Sequence, residues 1–131
     1  MLKKIEAIIR EDKLGDVKDA LNEIGIRGMN VFEIRGQGRQ GGITLAGRSG
    51  TYQVDMLPKM QLNIILSDEN VDDTIETILS AARTGQAGDG LIFVYPMEEV
   101  VRIRTGERGR EAVMYPGDID EKKGRGKAKE S

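Results

Sequence analysis

The chain has 131 residues, 20 Lys+Arg against 22 Asp+Glu and a formal charge of −2, the size and balance of one compact domain. It contains no cysteine and no histidine, which excludes disulfide frameworks, the common zinc sites, thiol nucleophiles and Ser-His or Cys-His catalytic pairs. Near-neutral charge and only five aromatic residues (Phe32, Tyr52, Phe93, Tyr95, Tyr115) argue against a nucleic-acid platform. No apolar run approaches the roughly 20 residues that span a bilayer, so no membrane insertion is expected. The start, Met1-Leu2-Lys3-Lys4-Ile5-Glu6, lacks the apolar stretch of a signal peptide, and the expected location is the cytoplasm.

From Leu2 to Arg10, Ile5, Ala7 and Ile9 alternate with Lys4, Glu6 and Ile8, which predicts a first strand. Leu14, Val17, Leu21 and Ile24 then trace one helical stripe, with Asp12 or a neighbour as the cap and Gly25 as the C′ residue. Val31 to Arg35 predicts a second strand. Six glycines between Gly36 and Gly50, with little periodicity around them, predict a long loop over about 37–55. A loop of that length in so small a domain is usually functional or disordered.

After Pro58 the plan repeats. Met60 to Leu66 predicts a strand, and Ser67-Asp68-Glu69-Asn70 offers caps. Val71, Ile75, Ile78, Leu79 and Ala82 form a second helical stripe, with Arg83 and Gly85 at its C-terminus. Leu91 to Tyr95 predicts a buried strand and Glu99 to Arg104 another. This order is the βαββαβ plan of a ferredoxin-like α+β sandwich with a long loop between strands 2 and 3. Two helices cover only one face of such a sheet. The other face would expose Ile8 and Ile64, so a homo-oligomer packed sheet to sheet is expected. Past Pro116 the composition turns to Gly, Lys, Glu and Asp, with a basic cluster Lys122-Lys123-Gly124-Arg125-Gly126-Lys127. That composition predicts a domain over 1–113 and a disordered tail over 114–131.

Three segments favour anions. Gly36-Gln37-Gly38-Arg39-Gln40-Gly41 spells G-x-G-x-x-G after a strand, but a dinucleotide turn must open directly into a helix and here more loop follows. What remains is a bare backbone that approaches an anion, with Arg39 and Gln40 as donors, or else a plain loop. Gly85-Gln86-Ala87-Gly88-Asp89-Gly90 either curls its amides around phosphates or only makes a turn. In Arg102-Ile103-Arg104, a strand would project both guanidiniums to one side and Ile103 to the core. The pair then wants an anion between them, or Glu98 or Glu99 as partners. Gln40 can supply an amide oxygen to Mg²⁺, Lys59 a cation to a carboxylate, and Tyr52 a hydroxyl for modification; each is equally a surface residue.

Taken in order, Ile24-Gly25-Ile26-Arg27-Gly28-Met29, Gly38-Arg39-Gln40, Leu57-Pro58-Lys59, Ala81-Ala82-Arg83-Thr84-Gly85, Gly88-Asp89-Gly90 and Arg102-Ile103-Arg104-Thr105-Gly106-Glu107 resemble the PII nitrogen-regulatory signal proteins over about residues 1–113. The resemblance implies a homotrimer of ferredoxin-like subunits that binds ATP or ADP in clefts between subunits, and 2-oxoglutarate beside Mg-ATP. It implies a non-catalytic transducer whose long loop docks on an enzyme, a transcription regulator or an ammonium channel. By position it places Asn30, Gly36, Gly38, Arg39, Ile65, Gly88, Asp89, Gly90, Leu91, Arg102 and Arg104 at the nucleotide. Gln40, Gly41 and Lys59 fall at 2-oxoglutarate, with Gln40 also on Mg²⁺. Tyr52 falls where some members are uridylylated or adenylylated, and Arg48 where channel-blocking members insert an arginine. The sequence departs from the family at Leu91, where a phosphate-binding lysine is usual, and at Gly41 and Gly47, which replace a frequent lysine and tyrosine. Two rivals follow: an adaptor that senses ADP, ATP or another small anion without a 2-oxoglutarate response, and a slow ATPase or phosphotransferase with Asp89 or Glu107 as its base.

Overall fold

The structure, a computed structural model, describes residues 1–37, 43–47, 50–54 and 56–121, the segments 43–47 and 50–54 through their backbone. Strand β1 (Leu2–Arg10) leads through a 3-10 turn into helix α1 (Leu14–Glu23), and β2 (Asn30–Gly36) follows. A hairpin of β3 (Ile43–Gly47) and β4 (Gly50–Val54) precedes the long β5 (Leu57–Ser67). Helix α2 (Val71–Ala82), β6 (Gly90–Pro96) and a single-turn helix α3 (Arg110–Val113) complete the order.

The main sheet runs β2-β5-β1-β6, antiparallel throughout, with α1 and α2 on one face. This is the expected ferredoxin-like α+β sandwich. Alternation drives it: Ile5, Ala7 and Ile9 pair across with Ile64, Leu62 and Met60, and all six are buried beneath Val17, Leu21 and Ile78 of the helices. Gly25 ends α1 with φ 99°, as its place after Ile24 predicts.

Several expectations change. The loop expected over about 37–55 contains the β3–β4 hairpin, with Gly47 opposite Gly50. Strands of five residues among six glycines are too short to show a period. Ile64 lies on the helix face at 1% exposure, because its register with Ile5 sets its parity. The open face instead carries Ile8, Phe32, Leu91, Phe93 and Tyr95. Neither Asp12 nor the Ser67–Asn70 group caps a helix through its side chain; both stretches form 3-10 turns that lead into the helices.

Glu99 to Arg104 is not a strand. A lone bridge joins Val101 to Arg108, Gly106 N–H donates to Arg102 O at 2.8 Å, and Ile103 is fully exposed at 100% rather than in the core. The Thr105-Gly106 pair turns the chain back before a ladder can extend.

The expected tail is ordered through residue 121. Ile119 enters the core at 6% exposure and its N–H donates to Gly25 O at 2.9 Å. The Asp120 carboxylate accepts from Ser67 N–H at 3.0 Å and from the Asn70 side chain, both buried. One apolar residue in a charged stretch is no periodic signal, which is why composition alone reads as disorder. The basic cluster from Lys122 onward lies outside the described residues. No helix among the described residues is long and apolar enough to cross a membrane.

Truncating Leu62, fully buried at the centre of the sheet, to alanine is expected to lower unfolding free energy by about 2–5 kcal/mol in urea titrations. A value below about 1 kcal/mol would show that β5 does not carry the core.

Candidate functional site

Pairing gathers one group of residues at the end of the sheet where β1 stops. Arg10 lies opposite Lys59 on β5, and Ile9 opposite Gly90 on β6. Arg10 Nε donates to Asp89 Oδ1 at 2.8 Å, and its Nη2 donates to Ala87 O at 2.7 Å. Asp89 in turn closes the segment after α2: it accepts from Thr84 N–H, Gly85 N–H and the Thr84 hydroxyl. Its carboxylate is thus a brace for the turn. Lys59 Nζ donates to Gly88 O at 2.6 Å, which sets an ammonium group against the Gly88-Asp89-Gly90 backbone. Gly36, opposite Leu57, adjoins the Lys59 stem.

Gly90 is required by a close approach. It has φ 107°, and a Cβ there would lie 1.7 Å from Ile8 O. The turn therefore presses directly against β1.

The electrostatics follow from these contacts. The Arg10 guanidinium, then the Thr84 hydroxyl, hold the Asp89 carboxyl far below the usual carboxylate range. A group that so resists protonation is a poor general base at neutral pH. Partial burial, and then the nearby Arg10 charge, lower the Lys59 pKa. An anion placed beside Lys59 would offset both effects.

A second group sits elsewhere. Asn30, at the start of β2, accepts through Oδ1 from Asn63 Nδ2 at 3.2 Å, and Ile65 lies further along β5 on the same open face. Arg102 is close by but engaged: Nε donates to Ala112 O at 3.0 Å and Nη2 to Met114 O at 3.1 Å. Glu98 and Glu99 do not pair with it; Glu99 takes Arg108 at 3.2 Å. Arg104 is exposed and has no ion pair among the described residues. Leu91, on β6 opposite Ile8, is 64% exposed. Lys59 and Ile65 are six positions apart on β5, a span of about 20 Å at the rise of a strand.

Of the other candidates, Gly38, Arg39, Gln40, Gly41 and Arg48 lie outside the described residues, and Tyr52 pairs through its backbone with Leu45 in the hairpin. Among the described residues no three acidic side chains cluster as a metal site. Sequence reasoning missed Arg10 and Thr84. Arg10 ends a strand and meets Asp89 across 79 positions only through the fold, whereas Thr84 follows a helix and meets Asp89 locally, five positions on, a turn contact that the residue types alone do not announce.

Substituting Gly90 by alanine is expected to cost about 2 kcal/mol or more, since the new Cβ strikes the Ile8 carbonyl; an unchanged urea midpoint would refute that contact. Because the folded-state pKa of Asp89 is depressed, its stabilising contribution is complete above about pH 4 and is lost as the pH falls through the lowered value. Arg10→Ala is expected to move the Asp89 carboxyl titration, followed by carbon-13 NMR, upward toward the ordinary range.

Comparison with known proteins matches this arrangement to a family. The family described as nitrogen regulatory protein P-II covers residues 2–107. The nitrogen regulatory protein P-II of Pasteurella multocida is 53% identical over 112 residues, 86% of this chain and 100% of that protein. That of Azospirillum brasilense is 54% identical over the same share of each chain. The archaeal nitrogen regulatory protein P-II 2 of Methanothermobacter thermautotrophicus is 53% identical, over 86% of this chain and 97% of its own. A crystal structure of Arabidopsis thaliana PII bound to citrate superposes with a TM-score of 0.69 at 39% identity, covering 85% of this chain and 91% of that one. The chain belongs to the nitrogen regulatory protein P-II family, whose members are regulatory signal transducers.

Proposed function

We propose that this P-II protein is a non-catalytic sensor that binds ATP or ADP together with 2-oxoglutarate in clefts between the subunits of a homotrimer. The β2–β5 connection, which holds the β3–β4 hairpin, passes the bound state to a target in the cytoplasm: a nitrogen-assimilation enzyme, a transcription regulator or an ammonium channel. The observation that carries this reading is Lys59, held 2.6 Å from Gly88 O at the base of that connection. One cation there addresses both the glycine turn, whose amides suit phosphate, and any carboxylate beside it.

The roughly 20 Å between the Lys59 group and the Ile65 group supports a shared site. A single nucleotide reaches both groups only if one subunit supplies the turn and its neighbour supplies Asn30, Ile65 and Arg104. The open face bearing Phe32, Leu91, Phe93 and Tyr95 offers the apolar surface on which subunits meet. The citrate of the Arabidopsis PII structure is a small polycarboxylate, the same chemical class as 2-oxoglutarate. No acidic cluster among the described residues would hold Mg²⁺ by itself. In this reading Mg²⁺ arrives with the phosphates and takes Gln40 as an added oxygen ligand. The depressed pKa of Asp89 speaks against the ATPase rival, since it removes the best placed base.

A second reading, an adaptor that senses ATP or ADP without 2-oxoglutarate, is favoured by the exposed Leu91, which brings no charge to the phosphates. Calorimetry separates the two. In the sensor, 2-oxoglutarate tightens Mg-ATP, and Mg-ATP tightens 2-oxoglutarate by the same factor. Lys59→Ala is expected to abolish that coupling while ADP still binds, and Arg104→Ala to weaken ADP about tenfold or more. Nucleotide binding with no coupling in the unmodified protein would select the adaptor, and no nucleotide binding would refute both.

A further inference from the structure

We propose that Tyr115, from the segment beyond the matched family region, is a ligand-contacting residue that stacks on the base of the bound nucleotide. This rests on the nucleotide reading above and adds a residue to it. The family match ends at residue 107, and the Pasteurella relative is covered in full by 112 residues. Tyr115 therefore belongs to a part of the chain to which the family pattern assigns nothing.

Four observations converge on it. A cavity of about 230 Å³ is bordered by Gly28, Asn30, Ile65, Val113 and Tyr115, so the residues expected near the base and the tyrosine ring face one space. The ring lies close against Gly28: a Cβ there would meet Tyr115 Cε2 at 2.7 Å, so only glycine admits the ring in this position. Arg102 also fixes the segment. It donates to Ala112 O and Met114 O, and its guanidinium lies 5.2 Å from the Tyr115 ring centroid. Downstream, Ile119 in the core and Asp120 on Ser67 and Asn70 hold the chain in place.

The ring is thus preorganised, yet it remains 44% exposed. A rigid aromatic ring at the edge of a cavity is the ordinary platform for a heterocycle, and the ordering cost has already been met by the fold. The neighbouring amides add direction. Gln61 Nε2 donates to Asn63 Oδ1, and Asn63 Nδ2 to Asn30 Oδ1, each at 3.2 Å. That chain uses the Asn30 oxygen and leaves its NH₂ group for a ring-nitrogen acceptor. The site therefore selects a heteroaromatic base with an acceptor nitrogen on its edge, as adenine has.

The test is calorimetric titration of the full-length protein with ADP. Tyr115→Ala is expected to lower ADP affinity about tenfold, within the range of base–aromatic stacking, whereas Tyr115→Phe keeps the wild-type value. Should the alanine variant fail to fold, Tyr115→Leu retains apolar bulk beside Gly28 without a π-face, and its loss relative to Tyr115→Phe carries the same result. Unchanged or tighter ADP binding by the alanine or leucine variant overturns the proposal and leaves the nucleotide reading standing. Failure of the wild-type protein to bind ADP overturns the nucleotide reading itself, and this proposal with it.

Discussion

Strand β1 hydrogen-bonds β5 along one edge and β6 along the other, so the residue at its end, Arg10, meets both neighbours at once. Its ion pair with Asp89 ties the Thr84–Gly90 segment to the sheet, and its place opposite Lys59 holds the start of β5, just past the end of the β2–β5 connection. The close seat of Gly90 on the Ile8 carbonyl removes the remaining slack. A hairpin inserted between β2 and β5 therefore starts from a rigid base. Such a base is what a switch needs if a ligand bound there is to bias the hairpin between states of different target affinity.

Charge at this base is arranged in opposition. Arg10 and Lys59 lie side by side, Asp89 is bound to Arg10 and braced by Thr84, and Lys59 turns to a carbonyl. Arg10 is paired with a carboxylate; at Lys59, partial burial and the Arg10 charge lower the pKa while the Asp89 and Asp12 carboxylates oppose that shift.

The C-terminal segment shows how a family scaffold acquires a local addition. Residues 112–121 are held by a small number of specific contacts: Arg102 on two carbonyls, Ile119 in the core, and a buried carboxylate that accepts from the Ser67 N–H and the Asn70 side-chain NH₂. None of these is a periodic feature. Ile119 and Asp120 depend on partners far away in the sequence and Arg102 on carbonyls 10 and 12 positions on, and each converts a polar, charged stretch into part of the domain.

Local order was legible in the sequence, because alternation and helical spacing act over a few residues. Ile5, Ala7 and Ile9, the stripe Leu14, Val17 and Leu21, and the Gly25 stop all read directly, and together they specify the ferredoxin-like order. The glycine turn at Gly88-Asp89-Gly90 and the candidate Lys59 were also visible as residue types. Only the tertiary structure decided which face Ile64 takes, that Ile103 is exposed, that Asp89 braces Arg10, and that Ile119 and Tyr115 return to the domain. Ile103 is turned out by the local Thr105-Gly106 turn; for the others the physical reason is shared. Strand register and long-range hydrogen bonding are set by partners many residues distant, and a single residue's neighbours in sequence carry no record of them.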